Sequence, residues 1–211
     1  MNHIEYFFDP TCPFAWLTSR WATEVSERSD LGIEWRFISL QFLNEGVDAP
    51  AFYRRSYEVG LELLRVAAAV RRDHGNAGVA SIYAALGTRL HTEGRSARIW
   101  EGDDPGPLLL EALDSAGLEE CYVDAMGDSS HDGLIRSETE LAIARTGRGV
   151  GTPIITFDPA QPDTTSFFGP VLNRVPRGDE AIELWDGLAT VARIPGFSEL
   201  KRSLRGSLEL S

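Results

Sequence analysis

Cys12-Pro13-Phe14-Ala15 is the segment of this chain best placed to do chemistry. The apolar run Ile4 to Phe8 reads as a strand, Asp9-Pro10-Thr11 as a turn, and Pro13 as the first residue of a helix, where its missing N–H would have had no partner. Cys12 then stands at a helix N-terminus, where unpaired backbone N–H groups and the macrodipole both favour a negative sulfur. A free cysteine titrates near ~8.5, and a helix N-terminus lowers that by about one unit. Hydrogen bonds from Phe14 and Ala15 would have to supply any further activation. The expectation is an activated, nucleophilic thiol; the bland reading is an inert buried cysteine. A dithiol site would carry its second sulfur at position 15, and alanine stands there instead.

A second segment is suited to face that sulfur. Gly149-Val150-Gly151-Thr152-Pro153 leads into the strand Ile154 to Phe157. Proline at a strand start is ordinarily tolerated. The alternative is a cis Thr152–Pro153 bond that presents the Thr152 backbone beside Cys12, an arrangement found in only ~5–6% of X–Pro bonds. Around these two segments, Pro13, Phe14, Ala15, Trp16 and Thr152 are the candidate substrate contacts, with Cys12 and Pro153 as the catalytic pair. Trp16 and Trp21 also have the spacing to pack their helix on a sheet. His91 reads as structural more readily than as a proton carrier. Arg20 could assist a thiolate or carboxylate, against the duller reading of a surface ion pair. Asp9 would oppose a thiolate if close, and otherwise caps the turn. Cys121, among apolar neighbours in Glu120-Cys121-Tyr122-Val123, reads as a core cysteine rather than a resolving one.

The elements that must hold these residues alternate unevenly. Pro13 to Arg28 reads as a helix with Trp16, Leu17, Trp21 and Val25 inward, and Gly32 to Leu40 as a strand. A long region without strand character follows. Helices are expected over 52–72, 79–90, 107–116, 119–126 and 132–145. Strands return at 153–157 and 166–168, a helix at 177–192, and the segment 198–204 has the pattern of a last turn or two. The result is βαβ, a helical insert, then ββα. That is an α/β, thioredoxin-like architecture, with residues 1–50 and 147–211 forming a discontinuous domain and 51–146 an all-helical insertion.

Composition narrows the partners. The chain has 211 residues, 43% of them hydrophobic, and a formal charge of -12, which disfavours nucleic acid and anionic membrane surfaces. No apolar run approaches the ~18–20 residues of a membrane span. The start lacks the pattern of a secretory signal, and two cysteines are no disulfide framework, so the expected compartment is cytoplasmic. The four histidines lack the spacing of a zinc site, and no phosphate-binding glycine loop is present, so no metal or bound cofactor is expected.

Several segments together resemble a known group. They are Phe8-Asp9-Pro10-Thr11-Cys12-Pro13 running into Trp16 to Trp21, Tyr83 to Gly87 with His91 and Gly94, and Val150 to Pro153. Phe168-Gly169-Pro170-Val171-Leu172 and Pro176 to Trp185 complete the set. With these the chain resembles the DsbA-like branch of the thioredoxin superfamily, and within it the actinobacterial mycothiol-dependent reductase (nitroreductase) group. The resemblance implies a cytosolic thiol oxidoreductase, a homodimer, and a low-molecular-weight thiol such as mycothiol or glutathione as co-substrate. It places the family's nucleophile on Cys12, its cis-proline on Pro153, and its resolving cysteine on Ala15. A chain without that second sulfur must await an external thiol. Monothiol exchange is therefore the expected activity. The alternatives are thiol activation of the kappa-class glutathione transferase or chromene-carboxylate isomerase kind, and a non-catalytic interaction protein.

Overall fold

A computed structural model describes residues 2–161, 164–202, 204 and 206–210. The chain runs β1 (His3–Phe8), α1 (Pro13–Arg28), β2 (Gly32–Phe37), α2 (Leu40–Leu43), α3 (Ala51–Gly87), α4 (Ser96–Trp100), α5 (Gly106–Ala116), α6 (Asp132–Thr146), β3 (Ile154–Phe157), β4 (Thr165–Phe168) and α7 (Asp179–Ala192). A π-helical turn at Thr88–Thr92 extends α3, and tight helical turns at Glu120–Gly127 and Ser129–His131 lead into α6.

The four strands form one sheet in the order β2-β1-β3-β4. β1 is central, pairing parallel with β2 (Tyr6 against Trp35) and antiparallel with β3 (Tyr6 against Ile155), and its residues are buried on both faces from Ile4 to Phe8. Its sequence is accordingly apolar at successive positions rather than alternating. Ile4, Tyr6 and Phe8 join Trp35, Phe37, Ile155 and Phe157 in the large core shared with α1, α3 and α7. Phe7 and Ile154 point the other way, into a small cluster with Ala142 of α6.

The long insert ties itself to this sheet. The two helices expected over 52–72 and 79–90 are the two limbs of α3, separated by a kink at Gly75 (φ 64°, ψ -157°), a non-helical conformation that disfavours side chains with a Cβ. Asn76 beside that kink explains its place. Its side-chain oxygen accepts from Trp35 N–H at 2.8 Å and its amide donates to Ile33 C=O at 2.8 Å, so the side chain pairs the open edge of β2. Three expectations are corrected. The strand expected to reach Leu40 stops at Phe37, since Ser39 caps α2 and Asp9 captures the Leu40 N–H. The segment 119–126 is 3₁₀ rather than α-helical. No helix forms at the described residues of 198–204. Among the described residues no helix is long and apolar enough to cross a membrane.

Candidate active site at the first helix

Cys12 is the N-cap of α1, with Pro13 in the first helical turn. Ala15 N–H donates to its sulfur at 3.5 Å, and the sulfur lies 3.5 Å from Thr152 C=O, the acceptor for its S–H. The Thr152–Pro153 bond is cis, so the expected juxtaposition of the two segments is present. A second cis bond, Gly169–Pro170, flanks it. Gly169 N–H donates to Pro153 C=O at 2.9 Å, and Thr18 of α1 donates its hydroxyl proton to Pro170 C=O at 2.7 Å. The sulfur is therefore bracketed by a helix end and a doubly braced proline loop.

The expected ionised thiol is corrected. Cys12 is only 8% exposed. Loss of hydration pushes its thiol up to about 12; the N–H groups of Ala15 and Phe14 oppose this, and the Asp9 charge reinforces it. A helix terminus contributes roughly 0.3–1 kcal/mol, which burial outweighs. In this conformation the group is a neutral S–H donating to a carbonyl.

Asp9 lies beneath the turn, fully buried. One carboxylate oxygen accepts from the Thr11 N–H (2.9 Å) and hydroxyl (2.7 Å), and the other from Leu40 N–H (2.8 Å). Burial nonetheless raises it to about 6. Asp9 is thus both the expected turn cap and a charge that opposes the thiolate. On the other side of the turn, His91 Nε2 is 2.9 Å from Pro10 C=O, and burial lowers the ring to about 4. The imidazole is neutral and donates from Nε2, which supports the structural reading of His91.

Other candidates are placed as follows. Pro13 and Phe14 are half-buried at the helix end. Ala15 is fully buried and contributes its N–H, not its methyl, while its carbonyl accepts from Tyr6 O–H at 2.7 Å. Trp16, expected among the substrate contacts, is enclosed. The indole is 3% exposed, stacked near His91, and its N–H donates to Thr92 Oγ1 at 3.3 Å. Cys121 is exposed rather than in the core. It borders a cleft with Ala69, Arg72 and Asp73, three to four turns along α3 from the Gly60 that faces Asp9. At 1.5 Å per residue this separates the two thiols by roughly 15–20 Å, well beyond disulfide reach.

Two site-forming residues escaped the sequence reading. A Cβ on Gly60 would sit 2.7 Å from the Asp9 carboxylate, and one on Gly87 would sit 2.0 Å from the Trp16 ring. Glycine inside a helix costs ~1 kcal/mol, and that cost was the available signal of close packing. A shallow cleft lined by Gln41, Asn44, Arg54 and Tyr57 adjoins the Asp9 turn.

This frame matches known proteins along its length. The model of the Rv2466c-like family, described as mycothiol-dependent nitroreductase Rv2466c, covers residues 11–202. The chain belongs to the Rv2466c-like family. Over 204 residues it is 32% identical to Uncharacterized protein Rv2286c of Mycobacterium tuberculosis (strain ATCC 25618 / H37Rv), spanning 96% of this chain and 82% of that protein. Among solved structures it is similar to the cytosolic disulfide reductase DsbM from Pseudomonas aeruginosa with GSH (TM-score 0.57, 17% identity, 89% of this chain and 99% of that one). It is also similar to a 2-hydroxychromene-2-carboxylate isomerase (TM-score 0.56, 15% identity, 90% and 96%). The fold is thioredoxin-like with a helical insertion, as these neighbours share it. As an Rv2466c-like family member the chain is an enzyme.

Proposed function

We propose that this enzyme is a monothiol oxidoreductase in which Cys12 exchanges disulfides with a low-molecular-weight thiol, mycothiol foremost. One observation carries the reading: the Cys12 sulfur lies between the α1 N-terminal N–H groups and the carbonyl preceding a cis-proline, with alanine in place of a second sulfur. A mixed disulfide R–S–S–R′ would displace the S–H···O=C contact to Thr152, and the Cys12 proton would leave to solvent or to the departing thiolate. The Cys12 thiolate then attacks one sulfur, forming Cys12–S–S–R and releasing R′–S⁻. A second small thiol, as its thiolate, attacks that bond, giving R–S–S–R″ and restoring Cys12. The net change is R–S–S–R′ plus R″–SH to R–S–S–R″ plus R′–SH. The thiolate forms during exchange, since the resting site keeps its proton. Family membership supports mycothiol as the co-substrate, and the two free cysteines agree with a cytosolic setting.

The burial of Cys12 also favours a second reading. A neutral S–H beside helix N–H groups could steady the thiolate of a bound small thiol without itself reacting, as a transferase or isomerase requires. Cys12→Ser separates the two. Exchange chemistry predicts turnover reduced to background and loss of the mass-spectrometric adduct at position 12 after incubation with oxidised mycothiol. Turnover kept within a few-fold in that variant would overturn the covalent route. Ala15→Cys should add an internal resolving thiol, read as loss of both motif thiols on mild oxidation.

A further inference from the structure

Arg20 is the exception among the half-buried arginines. Arg36, Arg55, Arg65, Arg71, Arg89 and Arg145 each have a carboxylate oxygen within ion-pair distance, as do the remaining half-buried arginines among the described residues. Arg20 has none. Its Nε donates to Ser19 Oγ at 3.3 Å, and its guanidinium lies 4.4 Å from the centre of the Trp16 ring. Its two terminal amino groups have no acceptor among the described residues. The chain carries 32 acidic residues, so a shortage of carboxylates does not explain this. Neither amino group is sealed from solvent, so the fork is open to a bidentate acceptor.

Its position gives that open fork a meaning. Cys12, Trp16 and Arg20 follow one another at four-residue spacing along α1, so they form one stripe of the helix. The Arg20 side chain reaches back over Trp16, towards the helix end that carries the sulfur. The helix rise from Cys12 to Arg20 is about 12 Å, and this reach shortens the gap to the sulfur to roughly 10 Å. We propose that Arg20 binds the carboxylate of the substrate whose sulfur is presented to Cys12, making carboxylate-bearing organic disulfides the favoured class. The proposal rests on the exchange reading above. One guanidinium fork matches one carboxylate, and the chain's formal charge of -12 disfavours more highly charged anions.

The test uses the full chain carrying Cys121→Ser, so that Cys12 is its only thiol. Its exchange rate is measured with the carboxylated 5,5′-dithiobis(2-nitrobenzoate) and the uncharged 4,4′-dithiodipyridine. Arg20→Met, which keeps an apolar stem over Trp16, should lower the ratio of the two rates about tenfold. The loss should fall on KM for the carboxylated reagent. Arg20→Lys should recover part of the ratio. An unchanged ratio in Arg20→Met overturns the proposal while leaving exchange at Cys12 intact. Inertness of Cys12 to both reagents overturns the exchange reading instead. Quenching of tryptophan fluorescence by 4-nitrobenzoate, against 4-nitrobenzamide, then decides whether Arg20 still holds a carboxylate. Saturable quenching lost in Arg20→Met sustains the anion site; equal quenching by both probes ends it.

Discussion

Asp9 and His91 grip the same turn from two sides and titrate in opposite senses. Burial lifts the Asp9 carboxyl from its ordinary 3.8 to about 6, so its contribution to stability is greatest below its unfolded value and is lost as pH rises through 6. Burial lowers His91 from 6.5 to about 4, so its contribution is present above 6.5 and is lost as pH falls towards 4. At ~1.36 kcal/mol per unit, each is worth about 3 kcal/mol, and over pH 4–6.5 they largely offset one another. Asp9→Asn should therefore lose about 2 kcal/mol more than the parent between pH 6.5 and 4.5, read from urea midpoints. His91→Gln should become more stable over the same interval. A parallel fall in both variants would show that neither group titrates as its surroundings require. The types of these residues were legible in the sequence. Their protonation was not, because it depends on how much water the fold removes. The same reason explains the Cys12 thiol, whose helix position was foreseen and whose desolvation was not.

At the scale of elements, α1 is held by glycines in its neighbours as much as by its own apolar stripe. Trp16 can lie against α3 only because Gly87 has no side chain, and Asp9 can sit under the turn only because Gly60 has none. Gly87→Ala forces its methyl to within 2.0 Å of a ring that is already enclosed. Overpacking of this kind costs about 1–3 kcal/mol, and at this distance the upper part of that range is expected. Thermal denaturation should show the loss, and circular dichroism should show unchanged helix content. A neutral or stabilising result would mean that Trp16 can swing clear. Helical periodicity located the two limbs of α3 within a few residues, yet what pins the kink at Gly75 was hidden. Asn76 draws its benefit from β2, a partner some forty positions away in the chain.

Across the whole molecule, a buried ionic network joins the insert to the sheet. Glu138 of α6 accepts from Arg36 of β2 (2.9 Å), Arg71 of α3 (3.0 Å) and the Phe37 N–H (2.8 Å). Glu5 of β1 accepts from Arg36 and Arg145. Glu138→Ala strands the Arg71 guanidinium and the Phe37 N–H while Arg36 keeps Glu5 and Glu34, and loss of one partner from such a buried pair costs about 3–5 kcal/mol. Chemical denaturation should show that fall, and an effect below 1 kcal/mol would mean that water takes the carboxylate's place. The sequence by itself determined the order of strands and helices, the thiol at the head of α1, the absence of a second sulfur beside it, and the family. Local propensity, proline placement and residue identity suffice for those. Tertiary structure decided the rest: the cis geometry at Thr152–Pro153, the neutral state of Cys12, the sealing of Trp16, and an Arg20 without a carboxylate partner among the described residues. Each depends on which groups from distant segments meet and how far they exclude water, and neither is written in any one stretch of chain.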